Sequence, residues 1–311
     1  MLNHLFIFVG ALFMVIRGST AATIYASRLA RGLRLPTYTV GFIVIAIISI
    51  LPETFISLNA ALSGIPAFGL GMLFGSNIAD LSLIVAICVW YAGRSIKVES
   101  KILKNHAIYP FLLLLPLILG FNGHLSRMEG LALILAGGAF YYFAFQKKGG
   151  EEAHAHAGSA RTRSKALGQL LISMAILLIG AHFTVTSASA IAEGLGVNPI
   201  LIGMLVVGLG TTMPELFFSL QSLKKHDDSL AIGDLLGTVL ADATIVVGLL
   251  ALVSPFSFPQ RIIYVTGAFM VLASFILFRF MRSGRTLSRR EAWLLFFFWL
   301  AFVVVEFFAA T

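Results

Sequence analysis

Long apolar stretches alternate with short polar breaks along the whole chain. An α-helix needs about 17–25 apolar residues to cross a bilayer, and ten stretches of roughly that length are present. They predict transmembrane helices at about 5–30, 37–62, 67–91, 107–121, 128–145, 166–195, 199–223, 230–253, 261–280 and 291–310. The first and sixth are long enough to be strongly tilted.

The basic residues support ten crossings. Of the 22 Lys and Arg residues, 19 lie in or next to the loops that follow helices 1, 3, 5, 7 and 9, and Arg17 lies within helix 1. Because cytoplasmic loops carry the excess of Lys and Arg, this bias predicts that both termini lie outside the cytoplasm. The net charge of +8 is therefore an orientation signal and not a nucleic-acid-binding surface.

Composition agrees with a membrane protein, since 59% of the residues are hydrophobic and only 12% are charged, against about 25% charged in soluble domains. The first apolar stretch has no obvious cleavage site and is interpreted as a retained helix. The single cysteine, Cys88, excludes an intramolecular disulfide and any cysteine-based metal cluster. A multi-pass protein of the plasma or inner membrane is expected, with the lipid bilayer and transported cations as partners.

The segment 147–165 divides the helices into two sets of five, in residues 1–146 and 166–311. Its Gly, Ala, Ser and charged residues predict a flexible cytoplasmic linker. His154 and His156 beside two glutamates could bind a metal. The solvated linker is favoured over that metal site, because no predicted fold holds these ligands in place.

The two halves are related by a shift of 162 residues without a gap over about 45 residues. This shift superposes Pro-Glu at Glu53 on Pro-Glu at Glu215, and Ala-Asp at Asp80 on Ala-Asp at Asp242. The other matched positions are Gly41 with Gly203, Phe55 with Phe217, Ser57 with Ser219, Gly71 with Gly233, Gly75 with Gly237 and Ser76 with Thr238. The pattern indicates an internal duplication, within about 37–91 and about 199–253.

Because each half has five helices, an odd number, the two copies are expected to cross the membrane in opposite directions. The predicted fold class is thus an all-α integral membrane protein of two inverted five-helix repeats, with helices 2 and 7 broken at Pro52 and Pro214. Inverted repeats with broken helices near the bilayer midplane are typical of secondary transporters.

Each proline predicts a local chemistry. Pro52 and Pro214 lack an N–H, so the carbonyls of Ile48 and Gly210 are expected to lose their helix partners. Glu53 and Glu215 stand beside these carbonyls, with hydroxyls nearby at Ser49, Thr211 and Thr212. Carboxylates, carbonyls and hydroxyls are the hard oxygen ligands that Ca²⁺ and Na⁺ prefer.

Two more acids, Asp80 and Asp242, are predicted to join the same site, with Ser76 and Thr238 one helical turn away. An unpaired charge costs at least about 2.5 kcal/mol in a membrane helix, and no basic residue lies in these segments. The four acids are therefore expected to be balanced by a bound cation or by protons. Glycines beside them are expected to let the helices approach closely: Gly71, Gly75, Gly233 and Gly237.

Other polar residues in the predicted helices are expected to have structural or accessory roles. Ser57 and Ser219 are expected to hydrogen-bond within their own helices. Asp234 could be a fifth ligand, but it is interpreted as an accessory site, since its repeat partner Met72 breaks the symmetry. Arg17, His182 and Glu306 are expected at interfaces or in helix packing.

The motifs "GLGTTMPELFFSL" with "AIGDLLGTVLADATIVVG", and "IISILPETFISL" with "GLGMLFGSNIADLSLIVA", resemble the two alpha repeats of the cation/Ca²⁺ exchanger superfamily, and the sodium/calcium exchanger branch above all. The resemblance implies ten helices, a central pair of alpha repeats, and first and sixth helices that slide to alternate access. It implies that Glu53 and Glu215 are the principal cation ligands and that Asp80 and Asp242 take middle positions. Hydroxyl or carbonyl oxygens are implied at Ser49, Ser76, Thr211, Thr212 and Thr238.

Two departures leave the counter-ion open. Ile50 stands where the family carries a hydroxyl, and Asp80 stands at a position that is commonly Asn. Because four carboxylates around one Ca²⁺ leave a net charge of −2, at least one is expected to carry a proton. Na⁺ exchange is the main expectation, and H⁺-coupled or K⁺-dependent exchange of Ca²⁺ or a related divalent cation is the alternative.

Two other classes are remote. An intramembrane aspartyl protease would use Asp80 and Asp242, but it predicts a Gly-x-Gly-Asp segment where the chain has "AIGD", and it gives the glutamates no purpose. A passive cation channel with an acidic ring would not need inverted halves. The chain is thus predicted to be a transporter and not an enzyme, with no cofactor, and a monomer is sufficient for this activity.

Overall fold

The computed structural model describes residues 2–30, 49–98, 108–146 and 160–310, and these residues are almost entirely helical. Helices α1 to α6 are Leu2–Ala30, Leu51–Leu62, Pro66–Ala79, Val85–Ala92, Ile108–Leu119 and Arg127–Gln146. Helices α7 to α14 are Ala160–Leu195, Pro199–Ile202, Gly208–Thr211, Met213–Lys224, Asp228–Ala241, Val247–Val253, Ala268–Arg282 and Arg289–Ala310. Four π-helical turns, Asp80–Ile84, Gly203–Val207, Asp242–Val246 and Ile262–Gly267, join some of these helices into longer rods.

Seven of the helical rods within the described residues are long and apolar enough to cross a membrane. The chain is therefore an all-helical membrane protein. Three of the ten predicted spans are not among these seven. One of them lies partly outside the described residues, one is the 20-residue helix α6, and one is the shorter apolar stretch Ile108–Asn122.

Helix α7 begins earlier than predicted. It starts at Ala160, inside the segment predicted to be a flexible linker up to residue 165. Residues 160–165 read Ala-Arg-Thr-Arg-Ser-Lys, and Ala, Arg and Lys are good helix formers, so the membrane helix extends through them. The rest of the linker, including His154 and His156, lies outside the described residues.

Helices α1 and α7 pack against each other through a reciprocal pair of glycines. A Cβ placed on Gly18 would lie 3.2 Å from the carbonyl oxygen of Ser173 and 3.2 Å from Leu177. A Cβ placed on Gly180 would lie 3.1 Å from the carbonyl oxygen of Ala11 and 3.0 Å from the side chain of Val15. Each contact in one helix is thus repeated 162 residues later in the other.

Two small antiparallel sheets join loops from the two halves. In one, Ile96–Lys97 (β1) pairs with Thr286–Leu287 (β4). In the other, His124–Leu125 (β2) pairs with Phe256–Ser257 (β3). Each sheet has one strand from before the linker and one from after it, so the two halves meet at both sheets.

Local features also recur at a spacing of 162 residues. Helices α6 and α14 both begin with a capping box, in which Glu129 bonds the backbone N–H and the hydroxyl of Ser126, and Glu291 does the same at Ser288. The π turns that begin at Asp80 and Asp242 have the same length. Helices α2 and α10 both have 12 residues and a proline in the first turn.

The predicted close approach of helices is confirmed at two glycines. A Cβ on Gly75 would lie 2.1 Å from the carbonyl oxygen of Met204, and one on Gly71 would lie 2.6 Å from Ile200. Only glycine fits where the backbones of α3 and the Pro199–Lys224 rod meet so closely. This crossing brings the Pro-Glu segment of the second half toward Asp80.

Candidate cation site

The two glutamates occupy equivalent positions at the start of broken helix segments. Helix α2 begins at Leu51 after a turn at Ile50 (φ −70°, ψ −1°), and helix α10 begins at Met213 after a turn at Thr212 (φ −77°, ψ −3°). Glu53 and Glu215 therefore lie in the first turn of their helices. Both side chains are buried, with 1% and 0% exposure.

Asp80 and Asp242 each open a π-helical turn. These turns, Asp80–Ile84 and Asp242–Val246, interrupt two otherwise regular helices at the same place in each half. Single π turns inside α-helices are frequent at functional sites. Both aspartates are buried, as are Ser76 and Thr238 one turn earlier.

The structure brings the four acids from the two halves into one electrostatic cluster. Asp80 interacts with Glu53, Asp242 interacts with Glu53 and Asp80, and Glu215 interacts with Glu53 and Asp80. No Lys, Arg or His of the described residues forms an ion pair with any of them. The uncompensated negative charge of the site thus favours cations.

Many oxygens of this cluster lack a hydrogen-bond partner within the described residues. They are Glu53 Oε2, Asp80 Oδ1, both carboxylate oxygens of Glu215, both of Asp242, and Thr238 Oγ1. Buried polar atoms in proteins are nearly always paired, so unpaired ones indicate a ligand or an ion. No three acidic, His or Cys side chains in the described part of the chain are already arranged as a compact metal cluster. The acids therefore lie in one region of the protein, but their side chains are not close enough to one another to form a compact metal site.

The predicted hydroxyl ligands are buried but take different partners. Ser76 Oγ donates to the carbonyl of Leu73 at 3.0 Å, Thr211 to that of Gly208 at 3.0 Å, and Thr212 to that of Leu209 at 2.9 Å. Each of these hydroxyls keeps its oxygen lone pairs for a cation. The Thr211 side chain also interacts with the Glu53 carboxylate. The first half offers no equivalent of Thr212, because its position is held by Ile50.

Two expectations about backbone and hydroxyl groups were wrong. The Gly210 carbonyl is not left free, because a backbone N–H at the end of α9 bonds it in a tighter turn. Its counterpart Ile48, and Gly41, lie outside the described residues. Ser57 and Ser219 do not bond within their own helices: Ser219 donates to Ala231 on α11 at 3.5 Å, and Ser57 Oγ has no partner among the described residues. Ser57 instead packs against Gly69 of the next helix, and Ser219 reaches the carbonyl of Ala231.

Asp234 lies much closer to the cluster than its sequence position suggested. It is fully buried, accepts a hydrogen bond from Ser49 Oγ at 3.3 Å, and interacts electrostatically with Asp80 and Glu215. One feature of the sequence indicates this location. Asp234, Thr238 and Asp242 are spaced four residues apart, which places all three on one helix face.

The remaining polar residues have packing partners, as expected. The Arg17 guanidinium lies 5.5 Å from the centre of the Phe13 ring, and His182 Nδ1 lies 3.3 Å from the Asn59 side-chain oxygen. Glu306 accepts a hydrogen bond from Thr266 and lies 3.7 Å from Arg261. All three lie outside the acidic cluster.

Known proteins resemble the chain over most of its length. Sodium/calcium exchanger MaX1 of Methanosarcina acetivorans is 26% identical over 98% of this chain and 99% of its own. Inner membrane protein YrbG of Escherichia coli is 26% identical over 78% of each chain. A solved structure of the sodium-calcium exchanger NCX_Mj shares the fold, with a TM-score of 0.72 and 22% identity over 97% of this chain and 98% of that chain.

The family model described as "Sodium/calcium exchanger protein" matches twice, at residues 3–146 and 165–308. These two ranges cover most of the chain, and their limits again differ by 162 residues. The protein is thus a multi-pass membrane transporter, not an enzyme, and it belongs to the sodium/calcium exchanger family.

Proposed function

We propose that this cation antiporter exchanges Ca²⁺, or a related divalent cation, for Na⁺ by alternating access. One observation supports the proposal above all: buried carboxylates from both halves share one electrostatic cluster without a basic partner among the described residues. Glu53, Glu215 and Asp242 supply most of the oxygens that have no protein partner there. A divalent cation would neutralise two of their charges at once.

The ligand chemistry favours hard cations. The cluster offers carboxylate and hydroxyl oxygens, which suit Ca²⁺ and Na⁺ rather than softer transition metals. In this proposal Glu53 and Glu215 are the principal ligands, Asp80 and Asp242 complete the centre, and hydroxyls contribute from Ser49, Ser76, Thr211, Thr212 and Thr238. Ca²⁺ and several Na⁺ ions compete for the same acids, so a protein molecule that has bound Ca²⁺ cannot bind all of its Na⁺ ions at the same time.

Alternating access is supported by signs of an inverted repeat. Gly18 contacts the turn that contains Ser173, and Gly180 contacts Ala11, so the two glycine contacts run along α1 and α7 in opposite directions. The 162-residue shift relates loop 94–98, which contains β1, to loop 256–260, which contains β3. These two strands do not share a sheet: β1 pairs with β4, and β3 pairs with β2. Equivalent loops therefore lie at different sheets, as expected when the second copy is inverted.

The proposed orientation rests on the distribution of Lys and Arg among the loops. With ten crossings and the basic loops on the cytoplasmic side, both termini lie outside the cytoplasm. The bilayer is then the plasma or inner membrane, in keeping with the name of the Escherichia coli relative. Divalent export would be driven by the inward gradient of the counter-ion.

The counter-ion has two alternatives, H⁺ coupling and a K⁺ requirement. The name of MaX1 supports Na⁺, as do the hydroxyls of Thr211 and Thr212. Ile50 removes one hydroxyl from the first half, and Asp80 adds a carboxylate, which together favour H⁺ coupling or a K⁺ requirement. Na⁺ remains the proposed counter-ion because Thr211 interacts with Glu53 and the adjacent Thr212 is also buried.

The test is ⁴⁵Ca²⁺ uptake into proteoliposomes, driven by an outward Na⁺ gradient or by a pH gradient in separate vesicles. Uptake driven by Na⁺ and lost in Glu53→Gln and Glu215→Gln supports the proposal. Uptake that responds only to the pH gradient supports the H⁺-coupled alternative. Unchanged uptake in both glutamate variants contradicts the site, and uptake without any counter-ion gradient indicates a channel.

A further inference from the structure

Asp234 is a fifth buried acid with an unused oxygen. Its Oδ1 accepts a hydrogen bond from Ser49 Oγ at 3.3 Å, whereas Oδ2 is buried without a hydrogen-bond partner within the described residues. Its exposure is 0%, and that of Ser49 is 1%. A charged carboxylate in such a place needs a compensating charge, and the described residues supply no Lys, Arg or His for it.

The Ser49–Asp234 pair breaks the symmetry of the two halves. Thr211, the repeat partner of Ser49, interacts with Glu53 across the halves. The symmetric partner of Ser49 would be Glu215, but Ser49 bonds Asp234, and neither Glu215 oxygen has a hydrogen-bond partner in the part of the chain that the structure describes. The repeat partner of Asp234 is the apolar Met72, so the first half has no such carboxylate.

Asp234 lies to one side of the central acids. Eight residues separate it from Asp242, which corresponds to about 12 Å along a helix that rises 1.5 Å per residue. Asp234 interacts electrostatically with Asp80 and Glu215, whereas the interactions of Asp242 are with Glu53 and Asp80. It is displaced toward the start of α11, where Asp228 binds Arg94. A cation bound at Asp234 would therefore not be the ion held between Asp242 and Glu53.

We propose that Asp234 and Ser49 form an additional cation subsite, present in one half only, that holds a monovalent cation of the Na⁺ type. This inference rests on the proposed exchange function. One carboxylate and one hydroxyl are too few protein ligands for Ca²⁺, which takes 6–8 oxygens and gathers several carboxylates. Five carboxylates around one divalent cation leave a charge of −3, so a second, singly charged cation lowers the electrostatic energy of the site.

The test is equilibrium binding of ²²Na⁺ to the purified full-length protein in nanodiscs, with and without saturating Ca²⁺. We expect the wild type to keep a Na⁺ ion when Ca²⁺ is bound. Asp234→Asn is expected to weaken this Na⁺ binding by about tenfold or more and Ser49→Ala by about three- to fivefold, since ligand charge dominates affinity. Thermal unfolding without added cations tests whether both variants fold, and their midpoints are expected to lie close to that of the wild type.

Asp228→Asn is the matched control, because it removes a carboxylate from the same helix without touching the subsite. Equal Na⁺ binding in Asp234→Asn and Asp228→Asn overturns the inference, as does a wild type that releases all Na⁺ when Ca²⁺ saturates it. If the wild type binds no Ca²⁺, the proposed exchange function fails. In that case the Na⁺ affinities of Asp234→Asn and Asp228→Asn without Ca²⁺ still decide whether the subsite exists.

Discussion

The two halves of the chain share their framework but differ where cations are expected to bind. The capping boxes at Ser126 and Ser288 are alike, and so are the π turns that open at Asp80 and Asp242. Yet the 162-residue shift relates Ile50 to Thr212 and Met72 to Asp234, so an apolar residue in the first half corresponds to a polar one in the second. The conserved geometry therefore places two sets of acids, and a few substitutions make those sets chemically unequal.

The first way to break this comparison is to remove one aspartate from each half. Asp242→Asn is expected to lower divalent transport by about 100-fold, since neither of its oxygens has a hydrogen-bond partner among the described residues and ligand charge sets affinity. Asp80→Asn is expected to cost less than about tenfold, because Asn is common at this position in the resembled family and keeps one oxygen ligand. Initial rates of ⁴⁵Ca²⁺ uptake in proteoliposomes measure both. Equal losses would mean that the two halves bind the cation symmetrically.

The glycine contact between α1 and α7 tests the framework alone. Gly18→Leu and Gly180→Leu are each expected to destabilise the protein by about 1–3 kcal/mol, and by similar amounts, because both overpack the same reciprocal contact. Gly10→Leu and Gly168→Leu are controls on the same helices, where a Cβ meets nothing within 4 Å. Thermal unfolding in detergent gives the comparison. A large loss at one glycine only would contradict the reciprocal packing.

Ile50→Thr makes the first half more like the second. Thr212 donates to the carbonyl three residues earlier, and a hydroxyl at residue 50 occupies the equivalent position before α2. We expect the Na⁺ concentration for half-maximal exchange to fall about fivefold, the factor that corresponds to about 1 kcal/mol for one added polar contact. Ile50→Val is the matched control without a hydroxyl. An unchanged Na⁺ dependence in the threonine variant would show that this position does not select the counter-ion.

The smallest effect is expected at the ion pair that joins the halves outside the site. Arg94 makes two bonds of 2.7 Å to Asp228, and these bonds raise the pKa of the Arg94 guanidinium, so the cation persists throughout any transport assay. Arg94→Gln is expected to cost about 1 kcal/mol or less, because the arginine is partly exposed, and the loss is expected to shrink at high salt. Thermal unfolding at two salt concentrations checks this. A change in Ca²⁺ affinity would instead connect this pair to the site.

Much of the framework could be predicted from the sequence because it depends on periodicity and spacing. Apolar length predicted the helices, and the 162-residue shift alone aligns Glu53 with Glu215. The Pro-Glu order also predicted where the helices restart, since proline excludes one backbone bond wherever it stands. The roles of the acids as cation ligands stay predictions.

Contacts between distant residues could not be predicted in the same way. Ser49 and Asp234 are 185 residues apart, and nothing in either local sequence indicates that one bonds the other. The π turns were missed because one extra residue in a turn barely changes the apolar period. The hydrogen-bond acceptor of Ser219 was predicted wrongly for a related reason. The acceptor is the carbonyl of Ala231 on the next helix, and only the packing of the two helices brings it within reach.

The reciprocal contact of Gly18 and Gly180 has a consequence for the energy of the transport cycle. If two identical inverted copies exchanged conformations, the outward-facing and inward-facing states would be related by rotation and equally populated in a symmetric bilayer without ion gradients. Any resting preference must then come from positions where the copies differ, such as Met72 and Asp234, Ile50 and Thr212, or Ala144 and Glu306. Such side chains contribute to the equilibrium constant between the two facings, so single substitutions at them are expected to shift it.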